Sequence, residues 1–308
     1  MKKKMTGILI GVLYLSTLII VLIMVGSIYK YIVNALEDTQ TQIEMFGKQL
    51  DSLETDYVKL KKSVSKLSKK EKENSQKEQT VNSAEEITNL QVGSVIDASQ
   101  ITATDLSQYF RAYEIIEGDA VYNRIIGKSY QINDNVALSD LRYLKVLHYN
   151  FDAEVQVGEL IVNAKLAEDF LNAFKSLYEY QYQIQSMYLI DNYWTGNGAS
   201  SDNASIDVNN TSAFCYRVAT NSSNLSKHAY GCAIDINSQQ NPYVTYDASG
   251  KGTCYHENAI QYVDRSSGLA HVITHEDICY QVFTELGFKW GGDWTGDVRD
   301  FQHFEKVI

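Results

Sequence analysis

The stretch Val155-Gln-Val-Gly-Glu-Leu-Ile-Val-Asn163 runs directly into Ala164-Lys-Leu-Ala-Glu-Asp-Phe-Leu-Asn-Ala-Phe-Lys-Ser-Leu-Tyr-Glu-Tyr180, which sets the two structural periods side by side. The first segment reads as a strand. The second carries Leu166, Phe170, Leu171, Phe174 and Leu177 on one helical face. Upstream, Leu141 to Tyr149 reads as another strand; downstream, Met187 to Asp191 and Ala233 to Ile236 read as shorter ones. Gly196 to Thr211 is mostly Gly, Ser, Asn and Asp and reads as a long loop. Thr274, with Asp277 three residues on, opens a helical pattern that Gly287 closes. Strands and helices do not alternate regularly. The expected class is therefore α+β, a small antiparallel sheet with flanking helices, rather than a doubly wound sheet.

Composition narrows the options. The chain has 308 residues, 44% apolar and 21% charged, which excludes a wholly disordered or collagen-like protein. Its net charge of −11 is unevenly spread: residues 1–80 carry +4 and residues 81–308 carry −15. A body that acidic repels phosphate, so nucleic acid is a poor partner. The 22 tyrosines suit either an ordinary core and surface or a face that grips sugars or peptides.

The first residues, Met-Lys-Lys-Lys-Met, precede an uncharged run from Thr6 to Tyr29 that is long enough to span a bilayer. The lysines ahead of it assign residues 1–6 to a cytoplasmic tail, 7–29 to a single-pass transmembrane anchor, and the rest to the extracytoplasmic side. A cleaved signal peptide would give the same compartment. Leu36, Ile43, Phe46, Leu50, Leu53, Tyr57, Leu60, Val64 and Leu67 then form an a/d seam, interrupted only by Thr39. Residues 30–70 are thus expected to be a coiled-coil spacer that pairs the chain as a homodimer. Residues 71–98 turn polar and read as a flexible linker to a body at 99–308.

Two segments carry chemistry: Ser226-Lys-His-Ala-Tyr-Gly-Cys-Ala-Ile-Asp235, and Trp290-Gly-Gly-Asp-Trp294 followed by Asp300-Phe-Gln-His-Phe-Glu305. His228, Asp235 and His303 make two imidazoles and a carboxylate, a ligand set typical of catalytic zinc with one position left for water. Asp300, three residues before His303, is the type of group that takes a proton from such a water and returns it to a leaving amine. His271 and His275 have helical spacing but lack the rest of a metal motif, and His148 and His256 stand alone. The four cysteines, Cys215, Cys232, Cys254 and Cys279, all fall in the body, where one or two disulfides are expected outside the cytoplasm.

Taken together, S-x-H-x-x-G-x-A-x-D, W-G-G-D-W and D-x-x-H-F-E resemble the zinc D-alanyl-D-alanine carboxypeptidase family. That family includes vancomycin-resistance carboxypeptidases, L-alanyl-D-glutamate endopeptidases and phage endolysins. The likeness extends upstream through Asn209-Asn-Thr-Ser-Ala-Phe-Cys-Tyr-Arg217 and covers roughly residues 110–308. It implies zinc on His228, Asp235 and His303, Asp300 as general base, Arg217 as the group facing a substrate carboxylate or developing oxyanion, and Ser226 as a hydrogen bond to substrate. Cys232 departs from the pattern and has no implied role. The implied activity is a zinc peptidase acting on peptidoglycan stem peptides, of D-Ala-D-Ala carboxypeptidase type. An L-Ala-D-Glu endopeptidase is the alternative within the family, and a non-catalytic wall-binding scaffold built on the coiled coil is the alternative outside it.

Overall fold

The computed structural model describes residues 24–34, isolated positions between 36 and 59, and residues 87–308 apart from 102 and 221. The chain divides into two compact units, Met1–Asn82 and Ser83–Ile308. In the first unit residues 24–34 are helical, and Met24, Val25, Ile28 and Tyr29 are exposed. Among the described residues no helix is long and apolar enough to cross a membrane. The expected cytoplasmic tail, most of the anchor, and the seam beyond Leu36 lie almost wholly outside the described residues, as does the linker up to residue 86.

The second unit begins earlier than the polar composition before residue 99 suggests. Ile87 is fully buried in the same core as Leu144 and Val146. The Gly93 amide donates to Val157 O at 2.8 Å, and strand β1 (Val95–Ile96) pairs with β4 (Val155–Asn163). The expected linker at 71–98 is therefore too long. One buried isoleucine and two backbone pairings recruit residues 87–98 to the body, and neither leaves a periodic signal.

The central sheet has the order β1, β4, β3 (Leu141–Tyr149) and β2 (Arg111–Glu114), all antiparallel. β4 is buried at eight of its nine positions, because the sheet is covered on both sides. Leu144, Val146, Leu160 and Val162 join the main core; Leu141, Tyr143 and Ile161 join a smaller one with Ile125 and Phe214. Glu159 is the one charge in β4. Burial makes it depend on partners, and it accepts two hydrogen bonds from Arg124 at 2.8 and 2.6 Å and one from Tyr143 Oη at 2.8 Å. Arg124 comes from helix α1 (Ala120–Ile125).

Helix α2 (Ala167–Glu179) starts after a single 3₁₀ turn and buries Phe170, Phe174 and Leu177, much as its apolar face requires. Phe170 and Phe174 meet Phe283 edge-on, and Phe283 stacks on Phe304 with ring centres 4.9 Å apart. This aromatic column carries a second small sheet, β10 (Lys289–Trp290), β12 (His303–Glu305) and β7 (Ala233–Asp235), and a third has the order β11 (Val298–Asp300), β8 (Tyr243–Tyr246) and β9 (Gly252–Thr253).

Three local expectations change. Helix α3 (Gly198–Asp207) occupies the middle of the expected 196–211 loop; Asn197 caps it by accepting the Ser200 amide at 2.9 Å. Helix α4 (Ile278–Glu285) starts four residues after Thr274, because the Asp277 carboxylate, not Thr274, caps it by accepting from the Cys279 amide. The expected 187–191 strand shrinks to β5 (Ser186–Met187), paired in parallel with β6 (Asn210–Thr211), and then turns into a 3₁₀ helix at Ile190–Tyr193.

Ile87→Ala should lower the stability of the second unit by about 2–4 kcal/mol, the usual cost of emptying a fully buried isoleucine site. Urea unfolding of the fragment 83–308 and its variant measures this, and a change below about 0.5 kcal/mol would return residues 87–98 to the linker.

Candidate metal centre

Each chemical residue is held by a different backbone device. His228 lies in a 3₁₀ turn (Lys227–Tyr230) whose N-cap is Ser226; the Ser226 hydroxyl accepts the His228 amide at 3.3 Å. The turn ends at Gly231, at φ +65, where any larger residue would collide with the backbone of Val162 and Asn163. Asn163 in turn donates its amide to Gly231 O and its side-chain amide to Tyr230 O. Asp235 ends β7 and His303 begins β12, and the antiparallel register sets them directly opposite each other. Residues paired this way project to the same face with Cβ atoms about 4.5–5.5 Å apart.

The three side chains converge. His228 Nε2, His303 Nδ1 and Asp235 Oδ1 form a triangle with sides of 3.2, 3.1 and 3.3 Å, and all three residues are buried. The outer nitrogens fix the tautomers. His228 Nδ1 contacts Ala213 O, which can only accept, so Nδ1 carries the hydrogen and Nε2 presents a lone pair. His303 Nε2 faces Glu305 Oε2 at 3.2 Å, so His303 Nδ1 is likewise free to present a lone pair. Three acceptors turned on one another repel unless a cation sits among them. Ligands about 2.0–2.1 Å from a tetrahedral zinc lie about 3.3 Å apart, which these separations fit. The donor set therefore suits zinc, with Ala213 O and Glu305 as the outer partners that orient each ring.

The charges agree. Burial alone would raise the Asp235 pKa, but His228 and His303 hold it well below the usual carboxylate range. Burial alone would lower that of His303, yet hydrogen bonds to Asp235 and Glu305 and the Asp235 charge bring it up to about 10. Asp300 ends β11 (Val298–Asp300) and is buried, and its Oδ1 has no hydrogen-bond partner. Burial, then the nearby Asp235 charge, pushes its pKa up to about 7, which suits a group that both takes and gives a proton at neutral pH. Gly291 explains part of W-G-G-D-W: a Cβ there would strike Asp300 O and lie 3.0 Å from Asp300 Cβ and 3.2 Å from His303 Cβ.

Arg217 and Ser226 stand differently. Ser226 Oγ is engaged by the turn that carries His228. Arg217 is mostly shielded, with Nη2 2.6 Å from Asp202 Oδ2 and Nη1 donating to Val218 O at 3.3 Å. Asp202 and Glu305 are site residues that the motifs do not single out. Glu305 stands in the quoted D-x-x-H-F-E string two residues after a ligand candidate, while Asp202 belongs to a polar stretch with no signal. Of the other histidines, His275 pairs with Asp293 at 2.7 Å, His256 with Asp207 at 2.7 Å, and His271 stacks on Phe151. His148 is buried, which lowers its pKa to about 4. All four cysteines are free thiols, so the expected disulfide is absent.

Residues 220–306 match the D-alanyl-D-alanine carboxypeptidase family. The match supports the family that the motifs resemble and spans His228, Asp235, Asp300 and His303; Arg217 and Asp202 precede it. No curated protein and no solved structure matches the chain.

Glu305→Gln should leave the fold intact and weaken zinc binding about 10–100-fold, the usual effect of removing an orienting partner. Competition with a chromogenic chelator measures it. The metal-free site holds a proton near neutral pH because the His303 pKa stands near 10, and zinc must displace it. Zinc affinity should therefore rise between pH 6.5 and 8.5, and a flat profile would mean that His303 is not a ligand.

Proposed function

We propose that this chain is a zinc peptidase acting on peptidoglycan stem peptides, anchored in the membrane through residues 7–29 with its body outside the cell. One observation carries the reading: three buried lone-pair atoms meet in a triangle of zinc-ligand dimensions, and Asp300, with an unpartnered carboxylate oxygen, lies alongside. The family match supports this substrate class. Zinc in such a site polarises a peptide carbonyl and acidifies a water. His228, Asp235 and His303 would hold the ion. Asp300 takes the proton of the attacking water and delivers it to the departing amine nitrogen, so it ends each cycle as it began. The neighbouring Arg217, paired with Asp202, offers N–H groups where the carbonyl oxygen gains negative charge. Ser226 supports catalysis by keeping the His228 turn in shape.

The carboxypeptidase reading follows the family description, and digestion of purified muropeptides with mass analysis of the products tests it. Loss of a terminal D-Ala supports it; release of L-Ala from the remaining peptide supports the endopeptidase. The pairing of Arg217 with Asp202 specifically favours the second reading. A non-catalytic scaffold fits less well, because the ligand set and the base are all present. The coiled coil at 30–70 would serve as a spacer, pairing two chains and lifting each body from the membrane.

Asp300→Asn should keep zinc, because Asp300 is not a proposed ligand, while turnover falls about 10²-fold or more. Zinc lost together with activity would make Asp300 a ligand instead. For the spacer, the fragment 32–308 should sediment as a dimer, and Leu53→Lys combined with Leu60→Lys should make it monomeric. A wild-type fragment that is monomeric at high concentration would remove the coiled coil from the scheme.

A further inference from the structure

The most heavily engaged cation beside the metal centre is Arg217. Only 10% of its side chain is exposed, and its Nη2 meets Asp202, itself 13% exposed, at 2.6 Å. Nη1 is also partnered, by Val218 O, and Nε is buried without a partner. The charges of Asp235 and Asp300 both act on the guanidinium, which puts it within electrostatic reach of the proposed reaction site.

Asp202 is held firmly. It lies on helix α3, whose first residue, Gly198, packs so closely on the following segment that a Cβ would lie 2.9 Å from Arg217 Cβ and 3.1 Å from Cys215 Sγ. The Asn197 cap and the buried Ser201 and Ser205 fix the helix on its inner side. A buried ion pair is costly to separate, because each charge is then left unpaired in a poor solvent. Each amino nitrogen of Arg217 therefore already has one partner, and its charge is balanced by Asp202. A bidentate grip on a free carboxylate needs two parallel donors and an uncompensated charge. A guanidinium whose charge Asp202 already balances suits an uncharged carbonyl oxygen better than a second carboxylate.

We infer that Asp202 is a positioning and specificity residue that holds Arg217 in a neutral pair, so that the site accepts an uncharged peptide carbonyl next to the scissile bond rather than a free C-terminal carboxylate. The inference rests on the peptidase reading and directs it towards cleavage inside a stem peptide.

The test compares acid and amide forms of one probe on the zinc-loaded protein. N-acetyl-D-alanine and N-acetyl-D-alanine amide are titrated into wild type and Asp202→Asn, and the ratio of their affinities is read. In parallel, kcat and KM are measured for two synthetic substrates that end just after the bond mapped by muropeptide digestion, one a free acid and one an amide. Wild type should favour the acid by less than threefold. Asp202→Asn, which leaves Arg217 charged and uncompensated, should favour it tenfold or more, through KM rather than kcat. A tenfold acid preference in wild type overturns the inference without any variant, and so does an unchanged ratio in a folded Asp202→Asn protein. Failure of either probe to bind wild type also overturns it, since Arg217 would then face no ligand site. If the affinity ratio shifts while no stem peptide is cut, the peptidase reading falls and the role of Asp202 stands.

Discussion

The pairing of β7 with β12 is the constraint on which the candidate centre depends. Backbone hydrogen bonds set His303 opposite Asp235, so two of the three converging groups are aligned by main-chain register rather than by loop conformation. A one-residue slip would turn one of them to the opposite face. The register is pinned from below by Phe304, fully buried between His303 and Glu305 and stacked on Phe283 of α4. The long central sheet thus acts at a distance, since α2 rests on it, Phe170 and Phe174 hold Phe283, and Phe283 holds the strand that carries His303.

Each histidine has one nitrogen tied to an oxygen of the protein, and the two ties differ in kind. His228 leans on the Ala213 carbonyl, a fixed dipole; His303 leans on Glu305, a carboxylate whose pKa is held below its usual value by that same hydrogen bond. That charged partner helps raise the pKa of the His303 ring. The aromatic Trp294 flanks the His303 ring with centres 5.5 Å apart, which limits water around it.

Much of this was legible in the sequence where burial writes a pattern. β3 and β4 are rich in Val, Leu and Ile broken by single polar residues, and their ends match the expected ones at Leu141–Tyr149 and Val155–Asn163. α2 shows its stripe because one face is buried and the other is wet. The three converging residues stood in motifs, and the structure brings them together. α3 was hidden because its inner face is made of Ser201, Ser205 and Ile206, so polarity does not separate inside from outside. The early start of the body was hidden because Ile87 is one apolar residue in a polar run. The Asp202–Arg217 pair could not be read at all, since the two residues are brought together by a helix that the sequence does not announce.

The turn that carries His228 has no hinge of its own. Gly231 lies against the backbone of β4, and Asn163, the last residue of that strand, holds the turn by two hydrogen bonds. Turning His228 away therefore means breaking both hydrogen bonds to the end of β4, so the ligand is as steady as the strand it leans on. The ring is thus set before any ion arrives, and binding need not order a loop to gather its donors.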